Sequence, residues 1–313
     1  MHIRLTTNKT WILTTFLLML TQASVVLADE AFILREKYQS LTQQLEHNQF
    51  KRKVHLDSIE SESTIKGDIY AVLDYPFDTV NGALNDPKKG PNTWCDVLIL
   101  HVNTKYCQVS NEDKKPIINM YVGKKVKQEL ADAYHLQFGY KATVSNKDYF
   151  QVDLNADGGP LGTKDYRIVL EAVSINNNQT FIHLTYAYGY GLAGRMAMKT
   201  YLNTIGSAKV GFSKMEAVDT GKPATADSAE QYVGGVRGLV ERNTMRYYLA
   251  IDAYLSALKF APDKQLEQRL ISWFNATEQY PRQLHELDKQ EYIQMKYKEY
   301  ERQQLTPSPS SSL

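Results

Sequence analysis

The chain has 313 residues, with 36 Lys and Arg against 35 Asp and Glu. That balance leaves nucleic acid out as a partner, because phosphate recognition rests on an excess of positive charge. The length suits one large domain, or one domain with a helical extension.

The first 28 residues read as a cleavable signal peptide. Arg4 and Lys9 precede the apolar stretch Trp11 to Leu20, and Val26-Leu27-Ala28 places small or slim side chains where a signal peptidase cuts. The run is shorter than the roughly 20 apolar residues of a membrane span and is interrupted by Thr14 and Thr15. The chain is therefore expected to start at Asp29 outside the cytoplasm, in the periplasm or secreted. No cysteine follows the run, which argues against a lipoprotein anchor. Cys95 and Cys107 are the two cysteines of the chain, and export makes a disulfide between them the expected state. Such a loop stabilises by about 3 kcal/mol in the chain-entropy model.

Residues 30 to 50 read as a helical arm, with Phe32, Ile33, Tyr38, Leu41 and Leu45 near one side. Residues 54–75 read as extended up to Pro76, and Phe77 to Leu84 as a short helix stopped by Asp86-Pro87. Tyr134, Leu136, Phe138, Tyr140, Ala142 and Val144 alternate with His135, Gln137, Gly139, Lys141 and Thr143, the pattern of a half-buried strand. Turns at 145–148 and 176–178 lead to further strands at 149–154, 166–173 and 181–188, a meander of antiparallel hairpins. A helical segment at 192–203 and a last strand at 208–212 follow. After a Gly, Pro and Ala-rich linker at 219–226, Val236, Val240, Tyr247, Ile251, Tyr254, Leu255 and Leu258 recur at helical spacing. Further helices are expected at 263–279 and 282–304, separated by Pro281, with a disordered tail at 306–313.

The order strand, Pro, short helix, meander and long C-terminal helix carries a resemblance. The stretch Ile69-Tyr-Ala-Val-Leu-Asp-Tyr-Pro-Phe-Asp-Thr-Val80, then Leu84-Asn-Asp-Pro87 and Trp94, is similar to the opening of the START-like, helix-grip (SRPBCC-type) superfamily of lipid and hydrophobic-ligand binders. It implies an α+β fold: a curved antiparallel sheet wrapped around a long C-terminal helix, here at about 228–259, with a cavity between them. The division that follows is a signal peptide at 1–28, an N-terminal arm at 29–53, the helix-grip domain at 54–259, a helical extension at 260–305 and the tail.

Several motifs compete with structural readings. Gly189, Gly191 and Gly194 match G-x-G-x-x-G, but they follow antiparallel hairpins and not a parallel βαβ unit, so they are expected to let the chain approach the grip helix closely. Asp153, Asn155, Asp157 and Gly158 reproduce half of a calcium loop; Lys164 in place of the bidentate Glu, and Pro160, make a polar turn the expected outcome. No cofactor and no metal is expected, and no catalytic residue is assigned. Arg237, Glu241, Arg242, Asn243 and Arg246 load one helix with charge, as a solvated face or an interhelical network. The segment 292–302 is expected to pack on its own domain, with peripheral contact to a membrane or envelope protein as the alternative.

The expected function is binding or carriage of a hydrophobic or amphipathic small molecule, lipids included, without catalysis. Candidate lining residues are Trp94, Phe138, Tyr140, Leu170, Leu184, Tyr186 and Tyr188 on the sheet side and Tyr247 and Ile251 on the helix, with Arg195 or Arg246 as anchor for an anionic head group. Two alternatives stay open: an enzyme using His183 or Glu171 for proton transfer, and an interaction protein with a filled core.

Overall fold

The computed structural model describes residues 30–142, 147–191, 194–196, 198, 200, 209–215 and 232–305. The expected signal peptide, the linker at 219–226, Val144 and the tail lie outside them, as does most of the segment expected to be helical at 192–203.

Helical residues 30–40 (α1) and Thr42–Glu46 (α2) lead into β1 (Val54–Glu60) and β2 (Thr64–Leu73). The extended segment is thus a hairpin, closed where the Ser61 backbone N–H donates to Thr64 O at 2.9 Å. Pro76 ends the strand run and sets the start of α3 (Phe77–Leu84). Asp86 Oδ1 then accepts the Lys88 and Lys89 backbone N–H groups at 2.8 Å, and α4 (Gly90–Leu98) opens with Pro91 in its first turn.

The hairpin of β3 (Thr104–Glu112) and β4 (Lys115–Val122) turns at Asp113 and Lys114, both at positive φ. That is the backbone of a two-residue hairpin turn whose twist matches its strands. The strands β5 (Tyr134–Ala142), β6 (Tyr149–Gly158), β7 (Thr163–Asn176) and β8 (Gln179–Tyr190) extend the meander. All eight strands form one antiparallel sheet in the order β1-β2-β8-β7-β6-β5-β4-β3. Described residues 194–196, 198 and 200 are helical (α5), and the helices α6 (Gly235–Ala257), α7 (Pro262–Thr277), α8 (Pro281–Leu284) and α9 (Lys289–Leu305) complete the chain.

The sheet buries Ile69, Leu136, Phe138, Leu154, Ile168, Leu170, Leu184 and Tyr186 on one face, against Val240, Tyr247 and Ile251 of α6. The approach is close at Gly67 of β2, where any Cβ would collide with the Thr244 hydroxyl. α6 is buried nearly all round because α7, α4 and α8 pack on the sides that the sheet leaves open. On the opposite sheet face, Ala31, Leu34, Leu41 and Leu45 of the N-terminal arm cover Val72, Tyr149, Val173 and Phe181.

Cys95 of α4 and Cys107 of β3 form the expected disulfide, with Cα atoms 5.3 Å apart. Several expectations are corrected. Residues 209–212 form no strand; the nearby pairing is a single bridge, Lys214 to Tyr232. In α1, Phe32 and Ile33 are exposed while Ala31 and Leu34 are buried, so the apolar stripe is rotated from the expected one. The calcium-like run lies within β6 and not in a turn. Strand spacing sets Asp153, Asn155 and Asp157 along one face instead of around a point. Among the described residues no group of His, Cys, Asp and Glu could hold a metal ion.

Gly194 approaches the carbonyls of Leu161 and Gly162 in the β6–β7 turn, not the grip helix. The charged set on α6 is no solvated face: Glu241, Arg242 and Arg246 are buried. Glu241 accepts the Phe212 and Ser213 backbone N–H groups at 2.6 and 2.9 Å, tying the segment 209–213 to the helix. Tyr292, Met295, Lys296 and Glu299 of α9 are buried against their own domain. No described helix is long and apolar enough to cross a membrane.

Candidate functional site

A partly enclosed cavity of about 70 Å³ lies between the sheet and α6, lined by residues that include His101, Asn103, Met120, Leu136, Phe138, Pro160, Tyr166, Tyr186, Asn243 and Tyr247. β4, β5, β7 and β8 supply its wall, α6 supplies Asn243 and Tyr247, and the α4–β3 turn supplies His101 and Asn103. The phenol rings pack on one another: Tyr186 meets Tyr247 at 5.2 Å between centroids, and Tyr166 stacks on Tyr188 at 5.2 Å. A larger depression at Asp74 and Asn176 to Gln179 is open to solvent and lined by polar side chains alone.

His101 is the chemically distinctive member. Its Nδ1 accepts the Asn103 backbone N–H at 3.2 Å, which places the proton of the neutral ring on Nε2. That Nε2 is buried and forms no well-aligned hydrogen bond, the Asn243 side chain being the polar group that interacts with the ring. Burial first, and then the nearby Arg246 and Lys296 charges, hold the ring well below the ordinary histidine range, so it stays neutral. The cavity therefore contains an N–H donor that Asn243 answers only with poor geometry, a costly feature in a protein interior. It calls for an acceptor oxygen.

The long helix lies across the buried face of an eight-stranded antiparallel sheet, with the cavity between the two. This is a helix-grip fold. No family model matches the chain, and no curated protein matches it. Among solved structures it is similar to a truncated norcoclaurine synthase from Thalictrum flavum, at 18% identity over 48% of this chain and 91% of that one, with a TM-score of 0.31. It is also similar to the human StAR-related lipid transfer protein 5, at 7% identity over 57% and 90%, with a TM-score of 0.30. A third is the Zhui aromatase/cyclase from Streptomyces sp. R1128, at 9% identity over 73% and 96%, with a TM-score of 0.28. The strand order and the helix placement carry the fold, since likenesses at this level carry no function.

Of the candidate lining residues, Phe138, Tyr186 and Tyr247 line the helix-grip cavity. Leu170, Leu184, Tyr188 and Ile251 are buried in the surrounding core. Tyr140 sits further along β5, its hydroxyl donating to Leu84 O at 3.3 Å. Trp94, expected on the sheet side, lies on α4 and donates through Nε1 to Leu84 O at 3.1 Å. Arg195 is exposed on α5, and Arg246 is buried and bonded to Glu286. His101 and Asn103 were not legible as site residues because nothing in their neighbourhood marks the α4–β3 turn as facing the helix.

His183 and Glu171 meet, but on the sheet face away from the cavity. His183 Nδ1 lies 2.8 Å from Glu171 Oε2 and its Nε2 2.9 Å from Asp68 Oδ1, while the Tyr70 ring stacks on it at 4.3 Å. Their neighbours Leu170, Ala172, Ile182 and Leu184 point into the helix-facing core, so strand alternation turns His183 and Glu171 outward. The cavity acid/base reading is thereby corrected. Burial opposes charge on His183, but its bonds to Asp68 and Glu171 outweigh that and raise its pKa. Burial likewise opposes ionisation of Asp68, and hydrogen bonds from His183, Lys66 and Thr185 overcome it, lowering the carboxyl to about 2.

A group whose folded pKa is raised stabilises fully below its unfolded value and loses that contribution as pH rises through the folded one. His183→Gln is therefore expected to cost about 1.5–3 kcal/mol near pH 6 and distinctly less near pH 9. Urea titrations at the two pH values check this, and an equal cost at both would show that the ring is not charged.

Proposed function

We propose that this chain is exported, loses residues 1–28, and binds a small amphipathic molecule in the helix-grip cavity. The poorly answered Nε2–H of His101 carries the reading. It asks for a carbonyl, hydroxyl or carboxylate oxygen on the ligand, with Asn243 beside it, while Met120, Leu136 and Phe138 take the apolar part. Burial of that part supplies the driving force, at roughly 25 cal/mol per Å². A dry cavity of about 150 Å³ holds a benzene ring, about twice the volume found here, so a ring-sized ligand enters only as the walls yield to roughly double the space. A whole lipid chain needs several hundred Å³, and the ligand is accordingly smaller. The disulfide supports export to an oxidising compartment.

The test is a matched pair of probes, acetophenone and ethylbenzene, which differ in one carbonyl oxygen. Acetophenone is expected to bind at least about tenfold tighter, the worth of one buried hydrogen bond, and His101→Phe to erase the difference. A native mass spectrum of the protein from its own envelope or medium reads the Asp29 start and any co-purified molecule together. An empty protein that binds neither probe would favour the interaction module with a filled core. Against that reading, no large hydrophobic side chain between 263 and 304 is among the exposed ones.

A further inference from the structure

Three polar side chains meet at the helix-grip cavity: His101 from the α4–β3 turn, Tyr186 of β8 and Asn243 of α6. Arg246, one helical turn after Asn243, donates through Nη1 to Asn243 Oδ1 at 3.4 Å. A guanidinium carries donors alone, so it holds the amide with its oxygen toward Arg246 and its Nδ2 turned to the remaining neighbours. That oxygen also faces the His101 ring, and sharing it between two donors leaves Nε2–H with poor geometry. The Nδ2 in turn donates to the Tyr186 hydroxyl oxygen.

A hydroxyl whose oxygen accepts keeps its own proton to give. Burial first, and then the neighbouring phenols Tyr247, Tyr166 and Tyr188, push Tyr186 well above the ordinary phenol range against the opposing Asn243 contact, so that proton stays in place. The cavity thus holds two proton donors, His101 Nε2–H and Tyr186 Oη–H, bordering one amide whose single acceptor oxygen is already shared. Both rings pack on Tyr247, each with its centroid 5.2 Å away, which limits how far either can swing.

We propose that His101 Nε2–H and Tyr186 Oη–H form a two-donor site for one carbonyl oxygen, with Asn243 as the positioning residue, and that the ligand is a neutral carbonyl compound with an apolar body. This rests on the cavity-binding reading and names its ligand class. A carbonyl oxygen offers two lone pairs and no proton, so it answers both donors at once. A ligand hydroxyl brings a further donor to a place short of acceptors. A carboxylate carries a full charge out of water, a cost repaid only by a close counter-ion. The nearby cations are matched already, Arg246 and Lys125 to Glu286 and Lys296 to Glu299. Met120, Leu136 and Phe138 remain for the apolar body.

The experiment titrates the chain from residue 29 with acetophenone, its reduction product methyl phenyl carbinol, benzoate and ethylbenzene, and records the infrared carbonyl band of bound, isotope-labelled acetophenone. Acetophenone is expected to bind about tenfold tighter than the carbinol or benzoate, the worth of one further buried hydrogen bond. Its carbonyl band should lie below the position it takes in an apolar solvent. Tyr186→Phe keeps the ring and removes only the hydroxyl; it should weaken acetophenone about fivefold, return part of the band shift and leave ethylbenzene unchanged. Combined with His101→Phe, it should return the band to its apolar position. Asn243→Leu should broaden the band and weaken acetophenone, because the donors lose the amide that aligns them, again without effect on ethylbenzene.

A carbinol or benzoate that binds as tightly as acetophenone, or a carbonyl band unmoved by Tyr186→Phe, would overturn the carbonyl site and leave the cavity reading standing. Failure of every probe to bind would overturn both.

Discussion

Glu299→Ala is expected to lower the stability of the chain by about 3–5 kcal/mol, the cost of leaving buried charge without its partner. Glu299 is shared by two interior ammonium groups: Lys105 Nζ lies 3.0 Å from Oε1 and Lys296 Nζ 2.8 Å from Oε2. Both lysines are essentially without solvent contact. The remaining donors are answered by Val102 O and Met295 Sδ on Lys105, and by His101 O and Thr104 O on Lys296. This cluster fastens α9 to the start of β3, so its loss should release the last helix together with the general fall in stability.

The pH dependence has a definite sign. Burial lowers the Lys296 amine to about 8, with Glu299 opposing and Lys105 reinforcing the fall. A lysine depressed in the folded state destabilises that state below its folded pKa, and the penalty fades as pH rises toward the unfolded value. Without Glu299 the amine is depressed further. The deficit of the variant should therefore be largest at about pH 7 and shrink at about pH 9.5. Urea titrations at both pH values give the answer; a midpoint like that of the parent at neutral pH would mean that the lysines reach water.

Trp94→Ala should cost about 3–5 kcal/mol through the cavity it leaves, and should leave acetophenone affinity unchanged in the folded fraction. Trp94 is fully buried on α4 beside the disulfide half Cys95, and its indole N–H is satisfied by Leu84 O. It has no share in lining the helix-grip cavity. A variant that keeps its stability but loses the ligand would move the binding site to the α3–α4 side of the molecule. One that loses stability alone assigns Trp94 to packing.

Much of the fold was legible where local rules decide. Alternation placed Leu136, Phe138 and Tyr140 on the buried side of β5, although Tyr134, in the same phase, is exposed at the strand's start. Pro76 marked the passage from β2 to α3. The β3–β4 hairpin was missed even though Ile117 to Val122 is rich in strand formers, because its turn residues Asp113 and Lys114 carry no glycine to announce positive φ.

What the sequence by itself determined is what neighbours in the chain decide: strand alternation, helix periodicity, proline boundaries, and the pairing of its two cysteines once they meet. Tertiary structure alone decided which faces are covered and by what. The arm covers Phe181 on the sheet face that His183 shares, and α4, α7 and α8 make a buried helix of a charged one. His101, Tyr186 and Asn243 come from three separate segments, and only folding brings them to one place. The physical reason is that a periodic pattern records that a face is buried. The partner that buries it, and the field that partner brings, arrive from residues far along the chain.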